Sequence, residues 1–456
     1  MILSYKNENR IYDFIDQEKH IEHKNVFTIL IGKNGTGKSS ILGSIIDSLI
    51  NSEDRVVLSK IYKNPKLGLN EHVSGEPNLI SEIDNIIAIS TSPFDKFPIV
   101  KRKERIDYYS YMGLRDLVFL DIEYGYMFKI ISSLIDSLLE NKNQSKAISN
   151  VLDYLGYKNG IQIVFNLNQS KELLEQFLES RDIFEQDYFK TRSLLDLTFK
   201  RSLFIKDNGQ IDNLKIHQLF REVRDFINSE SGVYYSIHLN SEGLRFPNGP
   251  GIDINQLVYL IKLGLVILSD CALLTKDGKR FSLKRASSGE QCVLLGILGI
   301  SSKIKDNSLI CIEEPEICLH PQWQEKYIHL ITNTFNNYKN CQFIIATHSP
   351  QIISNISKDN CFILNMETNK LIDASIFVNN SYDFQLASLF ETPGFKNEYL
   401  SRIALNIFSK VSRNKYFDLD DLNNFNILER QSIFLDENDP VLDLYLSLKE
   451  MKSTYA

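Results

Sequence analysis

Short apolar and β-branched runs recur along the chain, and each predicts a β-strand. They lie at Val26–Ile31, Ile86–Ser90, Val233–Leu239, Leu309–Ile312 and Gln342–Ala346, with a hairpin indicated at Lys276–Lys279. Helix-compatible segments alternate with several of these runs, beginning directly after the first one. The alternation predicts an α/β protein.

The segment from about 99 to 229 has a different pattern, in which apolar residues recur near i, i+3, i+4 and i+7. It predicts amphipathic helices at Tyr126–Leu139, Leu173–Tyr188 and Leu214–Ile227. No long heptad array is present, so we expect a compact helical insertion rather than a coiled-coil arm.

The α/β pattern stops before this insertion and resumes after it, so the two halves should fold together as one discontinuous domain. A chain of 456 residues is too long for one compact core, and two or three domains are expected. The predicted segments are 1–98 as the first half of the α/β domain, 99–229 as the helical insertion, 230–374 as the second half, and 375–456 as a helical C-terminal region.

Composition places the chain among ordinary globular proteins, with 43% hydrophobic and 24% charged residues. The net charge of -7 argues against a protein whose whole surface coats nucleic acid, and it leaves room for a local basic patch. The six cysteines show no C-x-x-C pairing and lie mostly in apolar runs, as expected of reduced core residues.

No targeting or membrane segment is predicted. The first residues, MILSYKNENR, lack the apolar core of a signal peptide. The longest apolar stretch, Leu257–Leu274, is interrupted by Lys262 and Asp270 and is therefore a poor membrane span. These features and the cysteine usage indicate a cytoplasmic protein without membrane contact.

Residues 32–39 read GKNGTGKS, a complete match to the phosphate loop G-x-x-x-x-G-K-[ST] between a strand and a helix. Its glycines let backbone N–H groups curl around a phosphate. Lys38 should reach the β- and γ-phosphates of ATP, and the Ser39 hydroxyl should bind Mg²⁺. The predicted ATP-binding positions of this segment are Gly32, Lys33, Asn34, Gly35, Thr36, Gly37, Lys38, Ser39 and Ser40.

The segment LICIEEPE at 309–316 is an apolar strand that ends in paired carboxylates, the placement of a Walker B element. Glu313 falls at the position that holds Mg²⁺, and Glu314 at the position that polarises the attacking water. The alternative is a solvated acidic turn after a core strand. Glutamate replaces the usual aspartate at the metal position, and the extra methylene could loosen a site that demands near-octahedral geometry.

Two further motifs point to the same chemistry. His348, in ATHSP at 346–350, ends a strand predicted to lie beside the Walker B strand, where a histidine can reach the γ-phosphate. Ser287–Gln291 opens a helix whose N-terminus is a second anion-binding end. Taken alone, a single histidine is more often structural, and Ser-Gly is also ordinary turn and N-cap chemistry.

The order of these motifs resembles the ATP-binding cassette (ABC) ATPases of the SMC-like and OLD-like branch, whose members act in DNA repair and phage defence. The resemblance covers roughly 1–98 and 230–358. It implies an α/β, ABC-type P-loop ATPase domain, discontinuous in sequence, that uses ATP and Mg²⁺. It also implies that Glu314 is the catalytic carboxylate and His348 the switch histidine.

In that family a signature motif contacts the γ-phosphate held by the phosphate loop of a second subunit. The matching residues are Ser287, Ser288, Gly289 and Glu290. A homodimer or higher homo-oligomer is therefore implied. The family also uses a glutamine after the strand that here ends near Ser90, but no glutamine occurs between Gln17 and Gln144. One of Ser90, Thr91, Ser92 or Asp95 would have to replace it.

The stretch SPFDKF, the modest insertion and the short helical tail resemble the stand-alone ATPases of bacterial anti-phage systems, in particular the PtuA family of Septu and some retron systems. That resemblance implies an HNH-type nuclease as partner subunit, with the C-terminal helices as its docking surface. No Toprim pattern and no histidine follows His348, so no nuclease site is predicted in this chain.

A basic run followed by Tyr108 and Tyr109 could neutralise phosphates and stack on bases. A solvated helix face is the more common role of such a run. The candidate DNA contacts are Lys101, Arg102, Lys103 and Arg105, with Lys200-Arg201 as a second basic pair.

Three hypotheses follow from these patterns. The first is an ATPase that dimerises through ATP and regulates an associated nuclease in phage defence. The second is a nucleotide-gated sensor or scaffold with little turnover. The third is a DNA-repair ATPase that acts directly on DNA ends.

Overall fold

The structure is a computed structural model. The structure describes residues 1–7, 10–51, 75–100, 106–115, 117, 122–140, 144–168, 170–180, 204, 206, 210, 212–228, 234–245, 254–353, 356, 359–378 and 380–455. The chain divides into two compact units, Met1–Asp116 with Ile304–Ala456, and Leu117–Lys303.

The strands of the described chain are β1 (Ile2–Asn7), β2 (Arg10–Asp13), β3 (Val26–Ile31), β4 (Glu76–Leu79), β5 (Asn85–Ser90), β6 (Tyr109–Met112), β7 (Tyr157–Leu167), β8 (Tyr234–Asn240), β9 (Gly243–Arg245), β10 (Val266–Thr275), β11 (Arg280–Ser282), β12 (Ser308–Glu313), β13 (Gln342–Ala346), β14 (Cys361–Asn365) and β15 (Lys370–Asp373). The helices are α1 (Lys38–Ile50), α2 (Ile122–Glu140), α3 (Gln144–Tyr154), α4 (Lys171–Glu179), α5 (Asn213–Asn228), α6 (Ile254–Leu263), α7 (Ser288–Lys303), α8 (Pro321–Thr334), α9 (Pro350–Ile353), α10 (Tyr382–Leu389), α11 (Glu398–Asn414), α12 (Leu419–Ser432) and α13 (Pro440–Tyr455).

The first unit is built on a seven-stranded sheet of order β15-β14-β3-β13-β12-β5-β6. All neighbouring pairs are parallel except β14 and β15. Every residue of β3, β5, β12 and β13 is buried, as expected for parallel strands covered on both faces. Because the carboxyl ends of parallel strands meet at one edge, the segments after β3, β13, β12 and β5 come together there.

Helix α1 follows the phosphate loop and packs into the core of this unit. Its buried residues include Ile41, Leu42, Ile45 and Ile46. Gly43 permits a close approach, because a Cβ there would lie 2.4 Å from the Lys96 carbonyl oxygen. The glycine therefore lets the helix lie against the segment that follows β5.

The C-terminal part of the first unit is helical, as the sequence predicts. Buried residues on α11 recur with a helical period, and they pack against apolar residues of α12 and α13 to form a separate cluster. Asp418 and Asp421 form a capping box at the start of α12. This cluster gives the C-terminal helices their own small core.

The second unit contains a five-stranded antiparallel sheet of order β11-β10-β7-β8-β9. The predicted helical insertion covered 99–229, whereas this unit spans Leu117–Lys303 and contains the strand β7 within the predicted range. The predicted strand Val233–Leu239 is present as β8, but it pairs with β7 and not with the parallel sheet. The pattern of β7 explains the strand, since Ile161, Ile163 and Phe165 occupy alternate positions, are apolar and are buried.

The apolar stretch Leu257–Leu274 is split between α6 and β10. Gly264, with a φ of +82°, ends the helix in a conformation that favours glycine. Among the helices of the described residues, none combines the length and the apolar character that a membrane crossing needs.

Candidate nucleotide-binding site

The phosphate loop lies between the end of β3 and the start of α1. Gly32, Gly35 and Gly37 have φ angles of 146°, 83° and 90°, a region that side chains with a Cβ rarely adopt. Lys33, Asn34 and Ser40 are exposed, whereas Thr36 and Ser39 are half-buried. The predicted residues therefore form one continuous loop that leads into a helix N-terminus.

Lys38 is 5% exposed and its ammonium group fills the loop. Nζ donates to the Gly32 carbonyl at 2.7 Å and to the Lys33 carbonyl at 3.1 Å, and it lies 3.3 Å from Nδ1 of His348. Burial lowers the pKa of Lys38 to about 8, against the opposing effect of nearby glutamates, Glu314 first among them. An anionic phosphate here would favour the charged form of the lysine.

Lys33 contacts the carboxylate of Glu367 through two groups. The backbone N–H of Lys33 donates to Oε1 of Glu367 at 2.7 Å, and the Lys33 Nζ lies 3.5 Å from Oε2 of the same carboxylate. The Lys33 ammonium also lies 5.6 Å from the ring centroid of Phe434 in the C-terminal helical region. Glu367 therefore helps to hold the loop. No motif predicted this residue, because it follows β14 far along the chain.

Glu313, at the end of β12, is 2% exposed, and its Oε2 has no hydrogen-bond partner among the described residues. Burial raises the pKa of Glu313 to about 7, and a hydrogen bond from Ser39 opposes the shift. The carboxylate of Glu313 is thus buried, has one oxygen without a partner among the described residues, and lies beside the hydroxyl of Ser39, the other predicted Mg²⁺ ligand. This arrangement fits a Mg²⁺ ion, which usually takes one or two protein ligands together with phosphates and water. No cluster of three or more His, Cys, Asp or Glu suitable for a metal occurs in the described part of the chain.

The stability gained from Mg²⁺ should depend on pH. The pKa of Glu313 is about 7 in the folded protein, whereas the ordinary value for a glutamate is 4.5. The contribution of Glu313 to the free energy of unfolding therefore falls as the pH rises from about 4.5 to about 7. Mg²⁺ binds carboxylates in their ionised form. We therefore expect the stabilising effect of Mg²⁺ in the presence of ATP to increase between about pH 6 and 8.

The measurement is the change in melting temperature on adding Mg²⁺ to the ATP-bound protein at several pH values. Glu313→Gln is the control, because its side chain does not titrate and the titration of ATP itself is common to both proteins. An increase with pH that is equal in the two proteins would contradict the assignment of Glu313.

Glu314 begins a short 3₁₀ helix, Pro315–Cys318, with left-handed backbone angles of φ 46° and ψ 54°. Its N–H donates to the Ala346 carbonyl at 2.9 Å, which joins the turn after β12 to the end of β13. Oε1 of Glu314 lies 3.5 Å from Nε2 of His348. The structure therefore brings the two predicted catalytic residues together.

The imidazole of His348 lies between Lys38 and Glu314. Because an ammonium group only donates hydrogen bonds, the contact from Lys38 assigns the proton of the neutral ring to Nε2, which faces Glu314. Burial and the Lys38 charge lower the pKa of His348, and a hydrogen bond involving Gly32 opposes this. Both effects favour the neutral ring that this arrangement requires.

The four candidates for the missing glutamine have different surroundings. Asp95 is 1% exposed and is paired with Arg115 at 2.7 Å, and it also accepts a hydrogen bond from Tyr111 at 2.7 Å. Ser90 and Ser92 bond within their own turn. The Thr91 hydroxyl donates to the backbone carbonyl of Glu314 at 3.5 Å. Thr91 is therefore in direct contact with the predicted catalytic residue.

The signature residues lie in the second unit, at the start of α7. The Ser287 N–H and hydroxyl both donate to Oε2 of Glu290, at 2.9 and 2.8 Å, and the Glu290 N–H donates back to the hydroxyl at 3.3 Å. Ser287 and Ser288 are exposed, whereas Gly289 is buried. This is capping-box chemistry, and it gives the helix a well-defined N-terminus.

Two further expectations concern residues away from the loop. The candidate DNA contacts Lys101, Arg102, Lys103 and Arg105, and the pair Lys200-Arg201, lie outside the described residues. The six cysteines are all described and form no disulfide. Four of them are buried, as predicted for core residues.

The phosphate loop, the Walker B turn and the histidine thus occupy one edge of a parallel sheet. The family model AAA_21, described as "AAA domain, putative AbiEii toxin, Type IV TA system", matches residues 27–354. The chain belongs to the AAA_21 family. The predicted α/β P-loop ATPase fold with a helical C-terminal region is confirmed.

Several known proteins are similar in sequence to this chain. It is 24% identical over 370 residues to "Retron Vc95 probable ATPase" of Vibrio cholerae, covering 74% of this chain and 68% of the relative. It is 23% identical over 387 residues to "Retron Ec83 probable ATPase" of Escherichia coli, covering 74% and 66%. "Endonuclease GajA" of Bacillus cereus is 23% identical over 413 residues, covering 78% and 57%. The matched part is thus about two thirds of each retron relative.

Solved structures that match this chain include Stu0660 of Streptococcus thermophilus, 10% identical, with 98% of this chain and 94% of that chain covered and a TM-score of 0.34. Another is an Smc head domain from Pyrococcus furiosus, 11% identical, with 81% and 95% covered and a TM-score of 0.27.

Proposed function

We propose that this AAA_21 protein binds ATP with Mg²⁺ at the phosphate loop and hydrolyses it with Glu314 and His348. The single observation that carries the proposal is the continuous contact from Lys38 through His348 to Glu314. It links the lysine expected on the phosphates with the carboxylate expected on the attacking water, across distances of 3.3 and 3.5 Å.

The residues have distinct roles in the proposed hydrolysis. Glu314 accepts a proton from water as the water oxygen bonds to the γ-phosphorus, and the bond to the β–γ bridging oxygen breaks to release ADP. The Nε2–H of His348 orients the Glu314 carboxylate. Lys38 leaves the Gly32 and Lys33 carbonyls for the phosphate oxygens. Ser39 and Glu313 would hold Mg²⁺, which neutralises phosphate charge when bound.

We also propose that Ser287, Ser288, Gly289 and Glu290 complete the site of a second copy of the chain. The resemblance to ABC ATPases supports this arrangement, and the exposed Ser287 and Ser288 at a helix N-terminus supply suitable anion-binding groups. Two-fold symmetry then gives two such sites in each dimer.

Mixing two inactive variants tests the composite site. Lys38→Ala disables the phosphate loop and Ser287→Arg disables the signature, so a mixed dimer has one site with both defects and one intact site. An equal mixture should recover up to about one quarter of the wild-type hydrolysis rate, since about half of the dimers are mixed and each has one of two sites intact.

The matched control mixes Lys38→Ala with Lys38→Met, which both affect the phosphate loop and should give no recovery. If each chain hydrolyses ATP alone, the mixture of Lys38→Ala and Ser287→Arg will show only the sum of its two components.

The biological role that fits best is the control of an HNH-type nuclease partner in anti-phage defence, in the manner of PtuA. The pattern of motifs and the likeness to retron ATPases support this proposal. The exposed face of α11 supplies a docking surface, with Leu405 52% and Phe408 40% exposed between Arg402 and Arg413. Co-purification of the neighbouring gene product with the wild-type chain, and its loss with Leu405→Asp, tests this role.

A nucleotide-gated scaffold with little turnover is the second candidate. The pairing of Asp95 with Arg115 favours it, because one of the four candidates to replace the missing glutamine is already engaged in an ion pair. Single-turnover hydrolysis with Mg²⁺ and with Mn²⁺ separates the two functions, since a scaffold binds ATP without appreciable turnover. A direct action on DNA stays a prediction.

A further inference from the structure

Two loops at the carboxyl edge of the sheet carry the proposed catalytic residues. The Walker B turn comprises residues 314–319, and the histidine loop comprises residues 347–349. The side chain of Glu316, in the Walker B turn, crosses to the histidine loop and accepts the backbone N–H of His348 at 2.5 Å. The loop that holds the switch histidine is therefore attached to the turn that holds Glu314.

The remaining contacts of the histidine loop do not fix His348 itself. Thr347 N–H donates to the Leu30 carbonyl at 3.1 Å, and Ser349 N–H donates to the Thr347 hydroxyl at 3.0 Å. A second bridge runs from the Ser349 hydroxyl to Oε1 of Gln324 at 2.5 Å, and Gln324 Nε2 donates to the Leu319 carbonyl at 2.9 Å. The backbone N–H groups of residues 347 and 349 are thus held by other groups, whereas the N–H of residue 348 depends on Glu316.

The side chain of Glu316 is placed for this contact. Its Oε2 is buried and has no hydrogen-bond partner among the described residues. Burial raises the pKa of Glu316, and the hydrogen bond from the His348 N–H is the largest opposing effect. A carboxylate that accepts an N–H forms a stronger hydrogen bond than a neutral acceptor, so this one contact can hold a loop.

We propose that Glu316 is a positioning residue for hydrolysis, and the proposal rests on the proposed function of His348. By fixing the backbone N–H of His348, Glu316 sets where the imidazole ring lies between Lys38 and Glu314. The two ring contacts measure 3.3 and 3.5 Å, so a small movement of the loop breaks both of them. Glu316 thereby couples the geometry of the Walker B turn to that of the switch histidine.

Two substitutions at Glu316 test this role. Glu316→Ala removes the acceptor, and the single-turnover rate should fall about 10²-fold, the usual effect of misplacing a catalytic group by about 1 Å. Glu316→Gln keeps an acceptor oxygen and should retain the rate within about threefold. ATP affinity should change little in both variants, because Glu316 contacts neither the loop glycines nor Ser39.

A double variant separates positioning from a general loss of stability. If Glu316 acts through His348, Glu316→Ala with His348→Ala should be no slower than His348→Ala alone. A double variant whose loss is the product of the two single losses would overturn the proposal, as would a wild-type rate in Glu316→Ala.

Amide hydrogen exchange at His348 provides a readout that does not depend on hydrolysis. Exchange at this amide should be faster in Glu316→Ala and near wild type in Glu316→Gln, with melting temperatures measured alongside. Unchanged exchange in Glu316→Ala would overturn the positioning role. If the wild-type chain does not hydrolyse ATP but exchange responds as expected, the proposed function fails while the positioning contact stands.

Discussion

Glu314→Gln is expected to slow ATP hydrolysis by about 10²- to 10⁴-fold, the range associated with losing a general base. The amide cannot accept the proton of the attacking water, but it retains the size of the side chain and can keep an oxygen at the same distance from His348. ATP binding should therefore persist, and the variant should accumulate as an ATP-bound dimer. The measurements are single-turnover hydrolysis and the molecular mass in solution with and without ATP.

Glu437→Gln is the control for this variant, because Glu437 is exposed in a turn of the C-terminal region. It should hydrolyse ATP at the wild-type rate. Unchanged hydrolysis in Glu314→Gln would remove Glu314 from the mechanism. Slow hydrolysis without a stable dimer would instead leave the carboxylate assignment intact and count against the composite site.

Lys38→Ala should abolish ATP binding at concentrations that saturate the wild-type chain, with a loss of about 10²-fold or more for a buried charge-assisted contact to phosphate. The ammonium group is held within the loop by the Gly32 and Lys33 carbonyls. It is therefore already near the expected phosphate position. Titration calorimetry with ATP and Mg²⁺ measures the effect.

Lys24→Ala is the matched control, because its ammonium forms an exposed ion pair with Asp359 outside the phosphate loop. Its ATP affinity should stay within about threefold of wild type, as expected for an exposed ion pair. Equal losses in the two variants would contradict the specific role of Lys38.

The sequence was most informative where chemistry and local structure coincide. The strands Val26–Ile31 and Gln342–Ala346 have the predicted bounds in the structure. His348 lies beside the Walker B turn because β12 and β13 are parallel neighbours, as predicted. Apolar runs that end in polar motifs indicate where parallel strands end. Because these strand ends share one edge of the sheet, the residues that follow them lie close together.

Contacts between residues far apart in sequence could not be predicted in the same way. Glu367 holds Lys33 from a position more than 300 residues away, and its neighbours carry no motif. Asp95 was a candidate for the missing glutamine, yet its charge is paired with Arg115. The antiparallel sheet of the second unit was missed because β7 lies between two helices whose amphipathic pattern dominates the segment.

The left-handed backbone at Glu314 has a consequence for how this protein can change over time. A residue with a Cβ in that conformation costs roughly 1–3 kcal/mol, which glycine would largely avoid. Replacing Glu314 with glycine would therefore stabilise the folded chain, but it would also remove the carboxylate. Selection for stability and selection for turnover oppose each other at this residue, and descendants that no longer need to hydrolyse ATP should lose the glutamate early.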